Sequence, residues 1–231
     1  MGSIGSNLQE VKRRLARACA AAGRPENSVT LLAVSKTFGA DAVREAFDAG
    51  QRAFGENYVQ EALAKIDALA ALRTQLTWHL IGPLQSNKTR AVAEAFDWVH
   101  SVDRLKIAER LAAQRSPGLP PLQLCLQVNV SGEASKSGVA PGEVAALAAA
   151  VAALPAERVR LRGLMSIPEP VADADARRRP HRALRELLDA VNAGTGLALD
   201  TLSMGMSADV EAAIAEGSTL VRVGTAIFGR R

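Results

Sequence analysis

The chain has 231 residues, enough for one large domain or two small ones with a core that needs no disulfide or metal staple. With 48% hydrophobic and 23% charged residues it falls in the globular range and outside the disordered one. A net charge of +4 with no long basic run argues against a nucleic-acid-binding arm.

The first element is an amphipathic helix at 6–22, with Leu8, Val11, Leu15 and Ala18 at helical spacing. Eight short apolar runs follow, at 29–34, 52–55, 76–81, 98–102, 122–130, 159–165, 201–204 and 220–223. Helical patterns alternate with them at 40–49, 57–72, 88–96, 104–115, 142–154, 177–192 and 208–216, and only the last run has no long helix after it. Arg177, Arg178 and Arg179 form the longest basic run and read as a solvated loop.

Runs apolar on both faces and separated by helices predict parallel strands under a helical layer. Eight such units predict a single (β/α)8 TIM barrel, a fold of about 250 residues, with the first helix as an addition. A doubly wound open sheet would bind a nucleotide through a Gly-rich first turn, and neither GxGxxG nor GxxxxGK[ST] occurs here. The Pro- and Gly-bearing stretches 116–121 and 167–170 are too short to link domains, so one domain over 1–231 is expected.

Cys19 and Cys125 lie far apart among apolar neighbours, without metal-ligand spacing, and read as core thiols of a reducing compartment. No signal peptide opens the chain, and no run reaches the roughly 18 apolar residues of a membrane span. A cytoplasmic location is expected.

In a barrel, chemistry gathers at the C-terminal ends of the strands. Lys36 directly follows the first run, where burial of the amine would favour the neutral nucleophile that captures an aldehyde; a strand-end lysine can also snorkel to solvent. Lys136, after the fifth run, is a second candidate or an exposed loop cation. Ser207 opens the helix after the seventh run and reads as an N-cap or a phosphate ligand; Gly224 and Thr225 follow the eighth run as a tight turn or as phosphate contacts. Arg222 interrupts an apolar strand, facing either the barrel interior or a carboxylate in the helical layer. Asn57 follows the second run, His79 lies in the third, Met165 ends the sixth and Ser203 lies in the seventh. His79 reads as a stacking or acid/base group or as a core histidine, and Asn57 as a helix cap or a ligand. His100 and His181 have no partner set that suggests catalysis.

The segments Ala33-Val34-Ser35-Lys36-Thr37, Phe54-Gly55-Glu56-Asn57-Tyr58-Val59-Gln60-Glu61 and Trp78-His79-Leu80-Ile81-Gly82-Pro83 resemble the pyridoxal phosphate homeostasis protein family. So do Gly163-Leu164-Met165, Leu202-Ser203-Met204-Gly205-Met206-Ser207-Ala208-Asp209 and Val221-Arg222-Val223-Gly224-Thr225. The resemblance covers about residues 6–230. It implies a barrel like the N-terminal domain of alanine racemases, with pyridoxal 5′-phosphate (PLP) held through a reversible Schiff base on Lys36. It also implies phosphate contacts at Ser207, Gly224 and Thr225, Arg222 near the pyridine nitrogen, and Asn57, His79, Met165 and Ser203 around the cofactor. The segment 167–170 departs from the family pattern, which leaves only the shape of that loop open.

Racemases of this fold add a β-rich second domain, for which these residues leave no room. The resemblance therefore implies binding, storage and delivery of PLP, with PLP-dependent apoenzymes as partners; one domain with no apparent extra interface segment leads to the expectation of a monomer. Two other readings stay open: a PLP-dependent enzyme such as a weak amino-acid racemase, and an interaction protein that has kept the barrel without its ligand. Lys136 is a further candidate for a secondary cofactor or allosteric contact.

Overall fold

The computed structural model describes residues 2–132, 137–169, 171 and 173–229. Eight parallel strands close into a barrel in chain order: β1 (Thr30–Val34), β2 (Ala53–Glu56), β3 (Thr77–Leu80), β4 (Trp98–Val102), β5 (Leu122–Gln127), β6 (Val159–Met165), β7 (Thr201–Met206) and β8 (Leu220–Val223). β8 pairs with β1 from Thr30↔Leu220 to Ala33↔Val223, so no sheet edge is left open. The helices are α1 (Ile4–Ala21), α2 (Ala40–Asp48), α3 (Val59–Ala68), α4 (Thr89–Ala95), α5 (Leu105–Gln114), α6 (Val144–Ala152), α7 (Ala174–Thr195), α8 (Val210–Ala215) and α9 (Thr225–Phe228).

Side-chain alternation along a strand explains what reaches the barrel interior. Leu32 and Val34 on β1 cluster with Ile81 and Leu220 in a small group separate from the large core between strands and helices. Arg222 and His79 lie two residues from Leu220 and Ile81 and share their inward parity. Cys19 and Cys125 are both buried free thiols, with the Cys125 thiol pushed up to about 12 by burial.

The extra helix α1 begins at an N-cap, where Ser3 Oγ accepts the Ser6 N–H at 3.2 Å. It buries Leu8, Val11, Leu15, Ala18 and Cys19. Its polar side chains hold α9 and the loop before α8: Asn7 Nδ2 donates to the Ile227 carbonyl at 3.0 Å and Arg14 Nη1 to the Ser207 carbonyl at 2.8 Å.

Three expectations require correction. β5 ends at Gln127 rather than 130, because Val128 leaves the ladder for an isolated bridge to Val139. The helix after β7 begins at Val210 rather than 208, because Asp209 Oδ1 accepts the Met206 N–H at 2.6 Å and closes a turn first. Arg177, Arg178 and Arg179 lie in α7, not in a loop: Asp173 caps that helix, and Arg178 and Arg182 reach the buried Glu216 carboxylate at 2.6 and 2.9 Å. Lys136 lies outside the described residues. Among the described residues no helix is long and apolar enough to cross a membrane, and no group of three His, Cys, Asp or Glu could hold a metal ion.

Candidate functional site

A cavity of about 770 Å³ opens at the C-terminal mouth of the barrel, within the size range of small-molecule sites. Its lining brings together Lys36, Asn57, Ser207, Arg222, Gly224 and Thr225, with Val34, Ile81 and Met206 as apolar wall.

Lys36 stands in the turn after β1 and is exposed. Of its two readings, an amine buried at the strand end or one that reaches solvent, the exposure fits the second: the strand ends two residues earlier, and the side chain still lines the cavity. The groups beneath it are buried instead. Ser35 Oγ donates to Glu56 Oε1 at 2.6 Å, and Lys65 Nζ, on α3, reaches the Ser35 carbonyl and Glu56 Oε1, both at 2.7 Å. Burial pushes the Glu56 carboxyl up, against the Lys65 and Ser35 hydrogen bonds that favour its anion.

Asn57 is half-buried, and its Oδ1 is buried with no hydrogen-bond partner among the described residues. Its position is set by Gly82, where a Cβ would stand 2.3 Å from the Asn57 carbonyl oxygen. Only glycine lets these two segments pass so closely.

Arg222 faces inward, which settles its two readings. Nη1 donates to the Ser203 carbonyl at 2.6 Å and to Ser203 Oγ at 2.8 Å, and Nη2 to the Ser166 carbonyl at 2.7 Å. Burial lowers its pKa to about 10, so it stays a cation at neutral pH. Below it, Ser203 Oγ and His100 Nδ1 are 2.8 Å apart, and His100 Nε2 and His79 Nδ1 2.9 Å. Ser203, His100 and His79 thus form one hydrogen-bonded chain, in which the ring tautomers set the donor at each contact. Both rings are neutral. Burial takes His79 down to about 3, and burial, then His79 and Arg222, hold His100 well below its ordinary value.

Ser207 and the turn before α8 meet Gly224 and Thr225 at the start of α9 on one side of the cavity. The N-cap position of α8 is taken by Asp209, not Ser207, which frees the Ser207 hydroxyl from capping. Burial opposes the Asp209 charge, but bonds from His181 Nε2 at 2.9 Å and the Met206 N–H outweigh it and hold its carboxyl below the usual range.

The cavity does not gather every expected residue. Ser203 is buried outside the lining, hydrogen-bonded to Arg222. Met165 is buried at the end of β6, where its carbonyl accepts the Val128 N–H at 2.8 Å, and it does not line the cavity. His79 lines a different cavity, of about 420 Å³, with Trp98, Arg162 and Asp200 toward the N-terminal ends of the strands. Lys65 escaped sequence reasoning, Glu56 and Glu61 entered it only as members of a family-like segment, and His100 and His181, read as without a partner set, are bonded to His79 and Ser203 and to Asp209. The inward parity of Trp98 and His100 and the Glu61–Lys65 spacing of four were the available signals.

The family model for the N-terminal domain of alanine racemase matches residues 6–231. A pyridoxal phosphate homeostasis protein of Pseudomonas aeruginosa is 62% identical over 231 residues, spanning 100% of this chain and 97% of the relative. The chain belongs to the pyridoxal phosphate homeostasis protein family. The Escherichia coli K12 protein of the same name is 54% identical, over 100% of this chain and 98% of its own. Among solved structures, PipY of Synechococcus elongatus with PLP bound superposes with a TM-score of 0.81 at 41% identity, covering 93% of this chain and 100% of PipY. Alanine racemase of Corynebacterium glutamicum, at 19% identity and TM-score 0.66, is similar in fold, and this chain spans 59% of it.

Proposed function

We propose that this protein binds PLP in the C-terminal cavity and serves its homeostasis, storing the cofactor and passing it to PLP-dependent apoenzymes. The carrying observation is that one cavity joins an accessible lysine amine, a buried guanidinium and a turn rich in hydroxyl and N–H donors. The unpartnered Asn57 Oδ1 adds a polar atom ready for a ligand, and the PLP-bound PipY structure supports the choice of ligand.

When bound, PLP supplies an aldehyde that a primary amine captures reversibly, and a phosphate dianion. Lys36 would hold the carbonyl end, and Ser207, Gly224 and Thr225 the phosphate, where unpaired N–H groups favour an anion. Arg222, near the pyridine nitrogen, would disfavour protonation of that nitrogen and so weaken the electron sink that most PLP chemistry needs. Of the described side chains lining the cavity only Lys36 and Arg222 are ionisable, and Arg222 keeps its proton. That favours a carrier over a racemase, which needs a second acid or base. The working form is taken to be a monomer.

The test is absorbance of the protein with PLP, before and after borohydride reduction, followed by peptide mass mapping. The expected result is a phosphopyridoxyl adduct on Lys36 that is lost in Lys36→Ala with the fold intact. A correctly folded wild-type protein without that adduct would sink the proposal. Mixing the loaded protein with a PLP-dependent apoenzyme and following its activity tests delivery.

A further inference from the structure

Thr37 is the only non-glycine residue with a positive φ among the described residues, at 67°, and it directly follows Lys36. A β-branched residue is ill suited to the left-handed region, and such strain persists only where the surroundings over-determine it. Two charged side chains of α3 do so here. Glu61 Oε1 accepts the Thr37 N–H at 2.5 Å. Lys65, one turn further, donates to the Ser35 carbonyl at 2.7 Å and pairs with Glu61 at 2.6 Å. The backbone on both sides of Lys36 is therefore tied to one ion pair. Glu56, with 0% of its side chain exposed, anchors Lys65 from below at 2.7 Å. Burying Lys65 against Glu56, with the partly exposed Glu61 beside them, carries a desolvation cost that an apolar residue at 65 would avoid, so packing alone does not account for them.

We propose that Glu61 and Lys65 are positioning residues for Lys36, clamping its backbone so that the amine is presented to the cavity in a single direction. This rests on the reading of Lys36 as the carbonyl-binding amine. In that capture the amine nitrogen adds to the aldehyde carbon, a C=N bond forms, and the carbonyl oxygen leaves as water with both amine hydrogens. The clamp touches neither reactant and takes no proton; it acts through geometry.

The experiment compares PLP with pyridoxine 5′-phosphate, which has the same ring and phosphate but an alcohol in place of the aldehyde, on the full chain. In Glu61→Ala the rate of covalent capture of PLP should fall about tenfold, the scale set by the preference of a non-glycine residue against left-handed backbone. The Kd for pyridoxine 5′-phosphate should not change. Adding Thr37→Gly to Glu61→Ala should recover most of the lost rate, because glycine adopts that φ unaided. Glu61→Asp keeps the charge but withdraws the carboxylate by one carbon, and should slow capture in the same sense should the alanine variant not fold. Unchanged capture, a parallel loss of pyridoxine 5′-phosphate binding, or no recovery in the double variant would overturn the clamp. Mass mapping of the wild type in the same series separates the two ideas: an adduct away from Lys36 overturns the reading of Lys36 itself.

Discussion

Arg222 and Ser203 are joined by two hydrogen bonds from one guanidinium nitrogen, to the serine carbonyl at 2.6 Å and to its hydroxyl at 2.8 Å. The register of β7 against β8 shifts between Ser203 and Met206, so Arg222 stands beside Met206 while its side chain reaches back along the barrel axis. The cation is thus held by neutral oxygens, not by a carboxylate, and its charge stays available to the cavity above.

Removing either partner has a graded effect. Ser203→Ala deletes one acceptor while the carbonyl bond remains, and is expected to destabilise by about 1–2 kcal/mol. Arg222→Leu leaves the Ser166 carbonyl buried without its donor and the Ser203 carbonyl with only the Ser166 N–H at 3.2 Å, and is expected to destabilise by about 2–4 kcal/mol. Urea denaturation of both variants checks the order, and an Arg222→Leu protein as stable as wild type would refute it.

The histidine pair makes stability pH-dependent. The folded pKa of His79, about 3, lies below its ordinary 6.5, and His100 is displaced the same way. The unfolded chain then binds protons that the folded one refuses, so stability falls as pH drops from about 6.5 toward 3 and is insensitive to these groups above about 7. Each neutral histidine contributes a slope of about 1.4 kcal/mol per pH unit within that window. Urea midpoints at pH 5, 6 and 7 should decline toward acid, and the decline should be shallower in a His79→Phe/His100→Leu double variant. Parallel curves would show that these histidines do not control it.

Gly82→Ala tests the crossing with Asn57. A methyl group 2.3 Å from the Asn57 carbonyl must displace backbone, with an expected destabilisation of about 1–3 kcal/mol. For a chain of this size that lowers Tm by about 2–4 °C per kcal/mol. Because Asn57 lines the cavity, PLP affinity should fall together with Tm. Loss of Tm alone would show that Asn57 does not serve the ligand.

Arg14→Ala tests the bracing of the cavity by α1. Arg14 ties the Ser207 carbonyl at 2.8 Å and Glu211 at 2.6 Å from outside the barrel. Glu211 is more than half exposed, so the stability change is expected to stay below about 1 kcal/mol. PLP affinity should fall about two- to tenfold, since the loop that carries Ser207 loses its outer support. Titration by absorbance reads this directly, and unchanged affinity would confine Arg14 to the surface.

Eight apolar runs and the helices between them were legible because parallel barrel strands are buried on both faces, so burial is written as continuous hydrophobicity. Strand ends then locate the rim, which is why Lys36, Ser207, Gly224 and Thr225 could be named before any coordinates. The sequence by itself therefore determined the fold, the family and part of the rim, while His79, Met165 and Ser203, named with the rest, do not line the cavity. Only tertiary structure decided how the charges are held. His100 and Ser203 are 103 residues apart, Glu216 collects Arg178 from the run that reads as a solvated loop together with Arg182, and Glu61 with Lys65 looks in sequence like an ordinary surface pair. A buried polar group is stabilised by whichever partner the closed barrel brings within about 3 Å, and that distance is a property of closure, which no local pattern encodes.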